Sequence, residues 1–237
     1  DELIEKTIPA NILLKEPLKL GAAMTEREFA EHIGKLAAQN KLYKTYIGCG
    51  WYDTVTPAVV QRNVFENPVW YTSYTPYQAE ISQGRLEALL NFQTVISDLT
   101  ALPLANCSLL DEATAAAEAA TMMYGLRSRA QQKAQANVLF VDEEIFPQTL
   151  AVIRTRAIPQ GMVVKVGSYK DLTFTPDIFG CIVQYPNNSG SIEDYREFTE
   201  QAHAVGCKVA VAADILSLAL LVPPGEWGAD IAFGSSQ

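Results

Sequence analysis

From residue 137 to the end, short apolar runs alternate with helical segments, and this alternation constrains the fold more than any other feature. "NVLFVD" (137–142), "GMVVKVGS" (161–168), "GCIVQYP" (180–186), "CKVAVAAD" (207–214) and "ADIAFGS" (229–235) read as strands. "PQTLAVIRTRAI" (147–158) and "SIEDYREFTEQAHAVG" (191–206) read as helices between them, the second ended by Gly206. Repeated strand–helix–strand units imply a mostly parallel sheet with helices on both faces. The strands are continuous apolar runs and not alternating ones, which is what burial on both faces requires. In such folds ligands bind beyond the carboxyl ends of the strands. Here those ends are "VDEEIFPQT", "QYPNNSG", "AADILS" and "FGSSQ".

Upstream the pattern differs. Residues 1–24 show two prolines and no sustained period, and are expected to form an extended arm. "TEREFAEHIGKLAAQN" opens with a Thr25–Glu28 capping box and is expected to be a helix. "TPAVVQRNVFEN" also reads as helical, with Thr56 as cap and Pro57 at the first helical position. The stretch from Trp70 to Tyr77 is aromatic and broken by Pro76, and helical spacing resumes near Gln78. Gly84 interrupts that helix, which predicts a close neighbour there. The expected division is 1–76, an N-terminal arm and helices, and 77–237, an incomplete α/β domain that continues in a longer parent chain.

"CSLLDEATAAAEAATMMYGL" (107–126) opens a further helix, with either Ser108 or Asp111 as cap and Thr114 in its first turn. A small-residue helix start is where proteins hold phosphate. Asp111 and Glu112 would repel one. Phosphate site, former phosphate site and capped helix all remain open on these residues.

The other candidates have a bland reading beside the functional one. Asp214, at a strand end, can bind a pyridine nitrogen or a ribose, or cap a turn, and the cap is favoured. Gln184–Gly190 has turn chemistry, His203 sits in an amphipathic helix, and the tyrosines of 71–77 fit a channel wall or an interface equally. Arg127, Arg129, Arg154 and Arg156 read as solvated or paired helix residues. A net charge of −9 argues against nucleic-acid and anionic-membrane binding. Four scattered cysteines (Cys49, Cys107, Cys181, Cys207) and two histidines (His32, His203) make a metal site unexpected and fit reduced, mostly buried thiols. The sequence holds neither a Walker A nor a GxGxxG motif, and no Ser-His-Asp arrangement is indicated.

"YIGCGWYDTVTPAVVQRNVFENPVWYTSYTPYQAEISQGRLEALLNFQTVISDLTAL", "ANCSLLDEATAAAEA", "FPQTLAVIRTRA" and "PPGEWGADIAFGSSQ" together resemble the P-protein family of the glycine cleavage system, over nearly the whole chain. The resemblance implies a fold-type-I pyridoxal-phosphate transferase-like large domain, truncated. It implies an oxidoreductase of glycine catabolism that decarboxylates glycine through an aldimine and passes the aminomethyl group to lipoylated H-protein. The family has two homologous halves, sometimes separate subunits, and this chain resembles the leading portion of the first. Comparison with the second half places Gln237 near the aldimine lysine, Phe146 near the ring-stacking residue and Ala212 closer than Asp214 to the pyridine-nitrogen acid. "SLLDEATA" stands where the phosphate loop would be.

A half without cofactor is therefore expected, with a degenerate site near Ser108, Asp111, Thr114, Phe146 and Asp214, no catalytic residue of its own, and Tyr74, Tyr77 and Gln83 as channel or interface residues. Lys208 is expected to point away from the cleft. The implied partners are the other half or subunit, H-protein and glycine, in a homo-oligomeric parent of the bacterial cytoplasm or mitochondrial matrix. The alternatives are an independent pyridoxal-phosphate enzyme whose lysine lies past Gln237, and an H-protein docking surface around Arg127, Arg129 and Lys133.

Overall fold

The computed structural model describes residues 1–72, 74–106 and 108–236. The chain divides into two units, Asp1–Tyr46 and Ile47–Gln237. The first holds two helices, α1 (Glu2–Thr7) and α2 (Glu26–Ala37). α1 lies within the expected extended arm. Its acids in the first turn and Lys6 in the last match the helix dipole, and Lys6 pairs with Glu2. α2 carries the expected capping box: Glu28 N–H donates to Thr25 Oγ1 at 3.3 Å, and Thr25 N–H to Glu28 Oε2 at 2.8 Å.

The second unit begins with short helices. α3 (Ala58–Val60) runs into a π-helical turn, Gln61–Phe65, and α4 (Pro68–Tyr71) follows. Pro57, and not Thr56, occupies the N-cap of α3, in an extended conformation that the Thr56 reading did not anticipate. α5 (Gln83–Thr100) comes next. Gly84 lies in its first turn, where a Cβ would meet nothing within 4 Å, so the close neighbour expected from the sequence is not there.

α6 (Glu112–Gly125) and α7 (Arg129–Lys133) lead into the alternating region. The strands are β1 (Val138–Asp142), β2 (Val163–Gly167), β3 (Ile178–Tyr185), β4 (Lys208–Ala213) and β5 (Ile231–Phe233). α8 (Pro147–Ala157) connects β1 to β2, and α9 (Arg196–Ala204) connects β3 to β4. α9 starts five residues later than the sequence reading, because Asn187 binds the Ser191 N–H and Asp194 binds the Arg196 N–H, which keeps 191–195 out of the helix.

The strands form one parallel sheet in the order β2-β1-β3-β4-β5. β3, at its centre, is buried along its whole length. Its odd residues Cys181, Val183 and Tyr185 face one core layer with Tyr195, Phe198 and Trp227. Ile182 faces the other layer with Met123, Ile153 and Ala210. Ala116, Ala119 and Ala120 bring α6 close to the sheet, and Gly180 is the matching hollow, since a Cβ there would lie 2.9 Å from Met123 Sδ. Cys181 and Cys207 are buried free thiols with their sulfurs 3.5 Å apart. Cys107 lies outside the described residues.

Candidate functional site

The start of α6 lies near Asp214, just beyond the carboxyl end of β4. Asp142 ends β1 and is buried; its two oxygens accept from the N–H groups of Glu144, at 2.8 Å, and Tyr169, at 3.0 Å. Burial outweighs these bonds and raises its carboxyl above the ordinary aspartate value. Gln184 and Tyr185 belong to β3, so the turn expected over Gln184–Gly190 starts only after them; there Asn187 Oδ1 accepts from Ser189 N–H, Ser189 Oγ and Ser191 N–H, and Glu144 accepts from the Asn188 and Ser189 N–H groups. Beyond β4, Asp214 Oδ1 accepts from Leu216 N–H at 3.0 Å, and its carbonyl accepts from Ser217 Oγ. That is the geometry of a turn cap.

The start of α6 has the same self-sufficiency. Asp111 is the N-cap, accepting from Thr114 N–H at 2.6 Å, and these bonds hold its carboxyl below the usual range. Ser108 lines a neighbouring cleft and does not cap the helix. Glu112 follows, half-buried, with Oε1 sealed from solvent and unpartnered among the described residues. Burial first, then the charges of Asp214 and Asp111, push its carboxyl up. Three carboxyl groups thus converge where a fold of this kind would place a phosphate, and Asp111 already occupies the Thr114 N–H.

These residues do not fit pyridoxal phosphate. Its phosphate would face Asp111, Glu112 and Asp214, and its aldehyde needs a lysine. Lys208 opens β4 at the far end of the strand, where it pairs with Asp230 at 2.7 Å, and Lys170 pairs with Glu193 at 3.1 Å. Phe146 caps α8 and lies against Gly50, where a Cβ would sit 2.9 Å from its ring. Gln237 lies outside the described residues. Among the described residues no cluster of His, Cys, Asp or Glu fits a metal ion.

Two open clefts lie beside this site, between the aromatic segment and α5. One, of about 310 Å³, is lined by Val69, Trp70, Tyr74, Ile81, Ser82, Gly84 and Arg85. The other, of about 420 Å³, shares Trp70 and Arg85 and reaches Ser108 and Ser236. Tyr74 thus lies in a cleft wall, with its hydroxyl donating to Gln78 Oε1 at 3.2 Å, while Tyr77 and Gln83 line neither cleft. Trp70, Ser82 and Arg85 are the site residues that sequence reasoning missed. The only signal for Arg85 is a cation three residues into α5 beside an aromatic, proline-broken segment.

Arg127 and Arg156 are committed elsewhere. Arg127 donates to the carbonyls of Tyr124 and Ala136, with its guanidinium 3.3 Å from the Tyr124 ring centroid. Arg156 pairs with Glu118. His203 Nε2 pairs with Asp230 at 2.8 Å.

The chain is 76% identical over its full length to glycine dehydrogenase (decarboxylating) of Bacteroides fragilis, and covers 25% of that protein. It is 52% identical to the mitochondrial glycine dehydrogenase (decarboxylating) of Dictyostelium discoideum, covering 24% of it. It therefore spans about a quarter of the length of these curated relatives. Among solved structures, an inhibitor-bound glycine decarboxylase (P-protein) superposes with a TM-score of 0.83 at 33% identity, over 99% of this chain and 53% of that one. A cystine C-S lyase shares the fold alone, with a TM-score of 0.52 at 13% identity over 76% of this chain and 50% of that one. The α/β architecture is that of a fold-type-I pyridoxal-phosphate enzyme. The family model for the Glycine cleavage system P-protein matches residues 1–237, and the chain belongs to that family.

Proposed function

We propose that this chain is part of a glycine decarboxylase that releases carbon dioxide from glycine and passes the aminomethyl group to lipoylated H-protein. Within it, the chain is the leading portion of the half that does not hold pyridoxal phosphate. The observation that carries this reading is the start of α6, where Asp111 takes the Thr114 N–H and Glu112 adds a buried, partnerless carboxyl oxygen. An acid at a helix N-terminus favours the dipole, so a helix that binds no phosphate gains from Asp111 as its cap. In the parent the cofactor is held by the other half, where it supplies the electron sink for the carbanion. This chain supplies fold, interface and part of a channel wall through Tyr74, with Tyr77 and Gln83 as interface residues.

The division we propose is 1–76 as an arm with helices and 77–237 as an α/β domain that continues in the parent. The parent is a homo-oligomer of the bacterial cytoplasm or, in eukaryotes, the mitochondrial matrix. No helix among the described residues is long and apolar enough to cross a membrane. Of the three cations of the alternative H-protein dock, Arg127, Arg129 and Lys133, Arg127 is tied to the Tyr124 and Ala136 carbonyls, while Arg129 and Lys133 are exposed.

The test is release of carbon dioxide from carboxyl-labelled glycine by the full-length parent. Release that requires lipoylated H-protein, and that survives Lys170→Arg and Lys208→Arg, is expected. Loss of activity in either lysine variant, with the protein still folded, would contradict the assignment of this half.

A further inference from the structure

Arg85 is the hinge between the two clefts. It sits in the first turn of α5, yet its guanidinium reaches back to the end of α4. Nη2 donates to the Val69 carbonyl at 2.7 Å and to the Thr72 carbonyl at 2.8 Å. These are carbonyls at the negative end of a short helix, where a cation is favoured twice, by the hydrogen bonds and by the dipole. Among the described residues, no other hydrogen bond or ion pair links 69–72 to α5. Tyr71 and Tyr77 are exposed, while Trp70 and Tyr74 keep 43% and 38% of their surface in water, so burial holds this segment only in part. Both clefts nevertheless take Trp70 and Arg85 as shared wall, and the smaller adds Tyr74. Ser82, in the wall of the smaller cleft, is 4% exposed and its hydroxyl has no partner among the described residues.

We infer that Arg85 is a positioning residue: by clamping the carbonyls of Val69 and Thr72 it holds Trp70 and Tyr74 in the geometry that admits the lipoyl arm of the acceptor. This rests on the proposed channel-wall role of the aromatic segment. Arg85 need not touch the reacting atoms. Removing the clamp leaves the segment held only by the partial burial of Trp70 and Tyr74, and small misplacements of a substrate-positioning wall are costly.

The experiment uses the full-length parent with lipoylated H-protein and glycine as separately varied substrates. Arg85→Met is expected to raise KM for lipoylated H-protein on the order of tenfold. KM for glycine and kcat should each change by less than about threefold. Arg85→Lys keeps the charge and more than one donor, and should recover most of the loss. A merely structural role would lower kcat in step with the folded fraction and leave KM unchanged. That result, or unchanged kinetics in Arg85→Met, overturns the inference. Trp70→Ala and Tyr74→Ala separate it from the reading beneath it. If both leave KM for H-protein unchanged, the channel reading falls and the inference with it. If they raise KM and Arg85→Met does not, the inference alone falls.

Discussion

The sheet region, 138–233, and the aromatic segment with α5, 51–100, belong to the same unit but reach stability by different means. In the sheet region the central strands β1, β3 and β4 are covered on both faces: Leu139, Val141, Ile182, Val209 and Val211 are fully buried. In the aromatic segment Trp51, Tyr52, Tyr71 and Tyr77 are exposed, and along α5 Leu90 keeps 63% of its surface in water. Among the described residues of α5 only Thr100 is buried. The sheet region closes its core together with α6. The segment leaves many apolar side chains exposed, among them Val69, Ile81, Leu90 and Val95. Exposed patches of this kind mark interaction surfaces, which agrees with a chain that spans a quarter of its relatives.

The largest expected effect tests that contrast directly. Ile182→Ala, at the centre of the sheet, should cost roughly 2–5 kcal/mol in chemical denaturation of this chain. Leu90→Ala should cost under about 0.5 kcal/mol in this chain. In the full-length parent it should cost several times more, if the rest of the protein covers α5. Equal costs for Leu90→Ala in the two backgrounds would break the comparison.

Next in size is Arg127→Met. It removes two bonds from a charged donor and a ring stack, and should cost roughly 1.5–3 kcal/mol by thermal or urea unfolding. Arg129→Met, on the surface nearby, should be near neutral. Asp111→Ala removes the cap of α6 and should lower the Tm, with most of the loss recovered in Asp111→Asn.

Glu112 gives a pH dependence whose sign is fixed. Its folded pKa is raised above the ordinary glutamate value of 4.5, so the folded state holds the proton more tightly than the unfolded one. Stability should therefore fall as pH rises from that value to the raised one, then level off. Glu112→Gln should remove this decline and raise the Tm at neutral pH, while Tm at low pH stays put. The smallest effect is at the end of α5, where Ala101 adopts φ 54°. Ala101→Gly should stabilise by about 0.5–1 kcal/mol, read as a rise in Tm.

The sheet region was also the legible one. Its strands are continuous apolar runs, and no other element that short buries both faces, so strand, parallel pairing and order of helices all followed from the pattern. Caps were legible where one residue type suffices, as at Thr25 and Gly206. Between Ser108 and Asp111 the sequence could not choose, because both have the side chain; the extended backbone at Asp111 decides it. α7 was missed because five residues carry no period, although Ser128 and Gln131 form a capping box. Arg85 was missed for a different reason. Its role depends on two carbonyls, 16 and 13 residues away, and carbonyls leave no trace in a sequence.

The central claim is that the cofactor site of this half is closed to pyridoxal phosphate. Borohydride reduction of the full-length parent, followed by digestion and peptide mapping, reports where the aldimine lysine lies. The account predicts a single pyridoxyl-lysine outside residues 1–237 and none within them. A pyridoxyl-lysine at Lys170, Lys208 or any other lysine of this chain would contradict it.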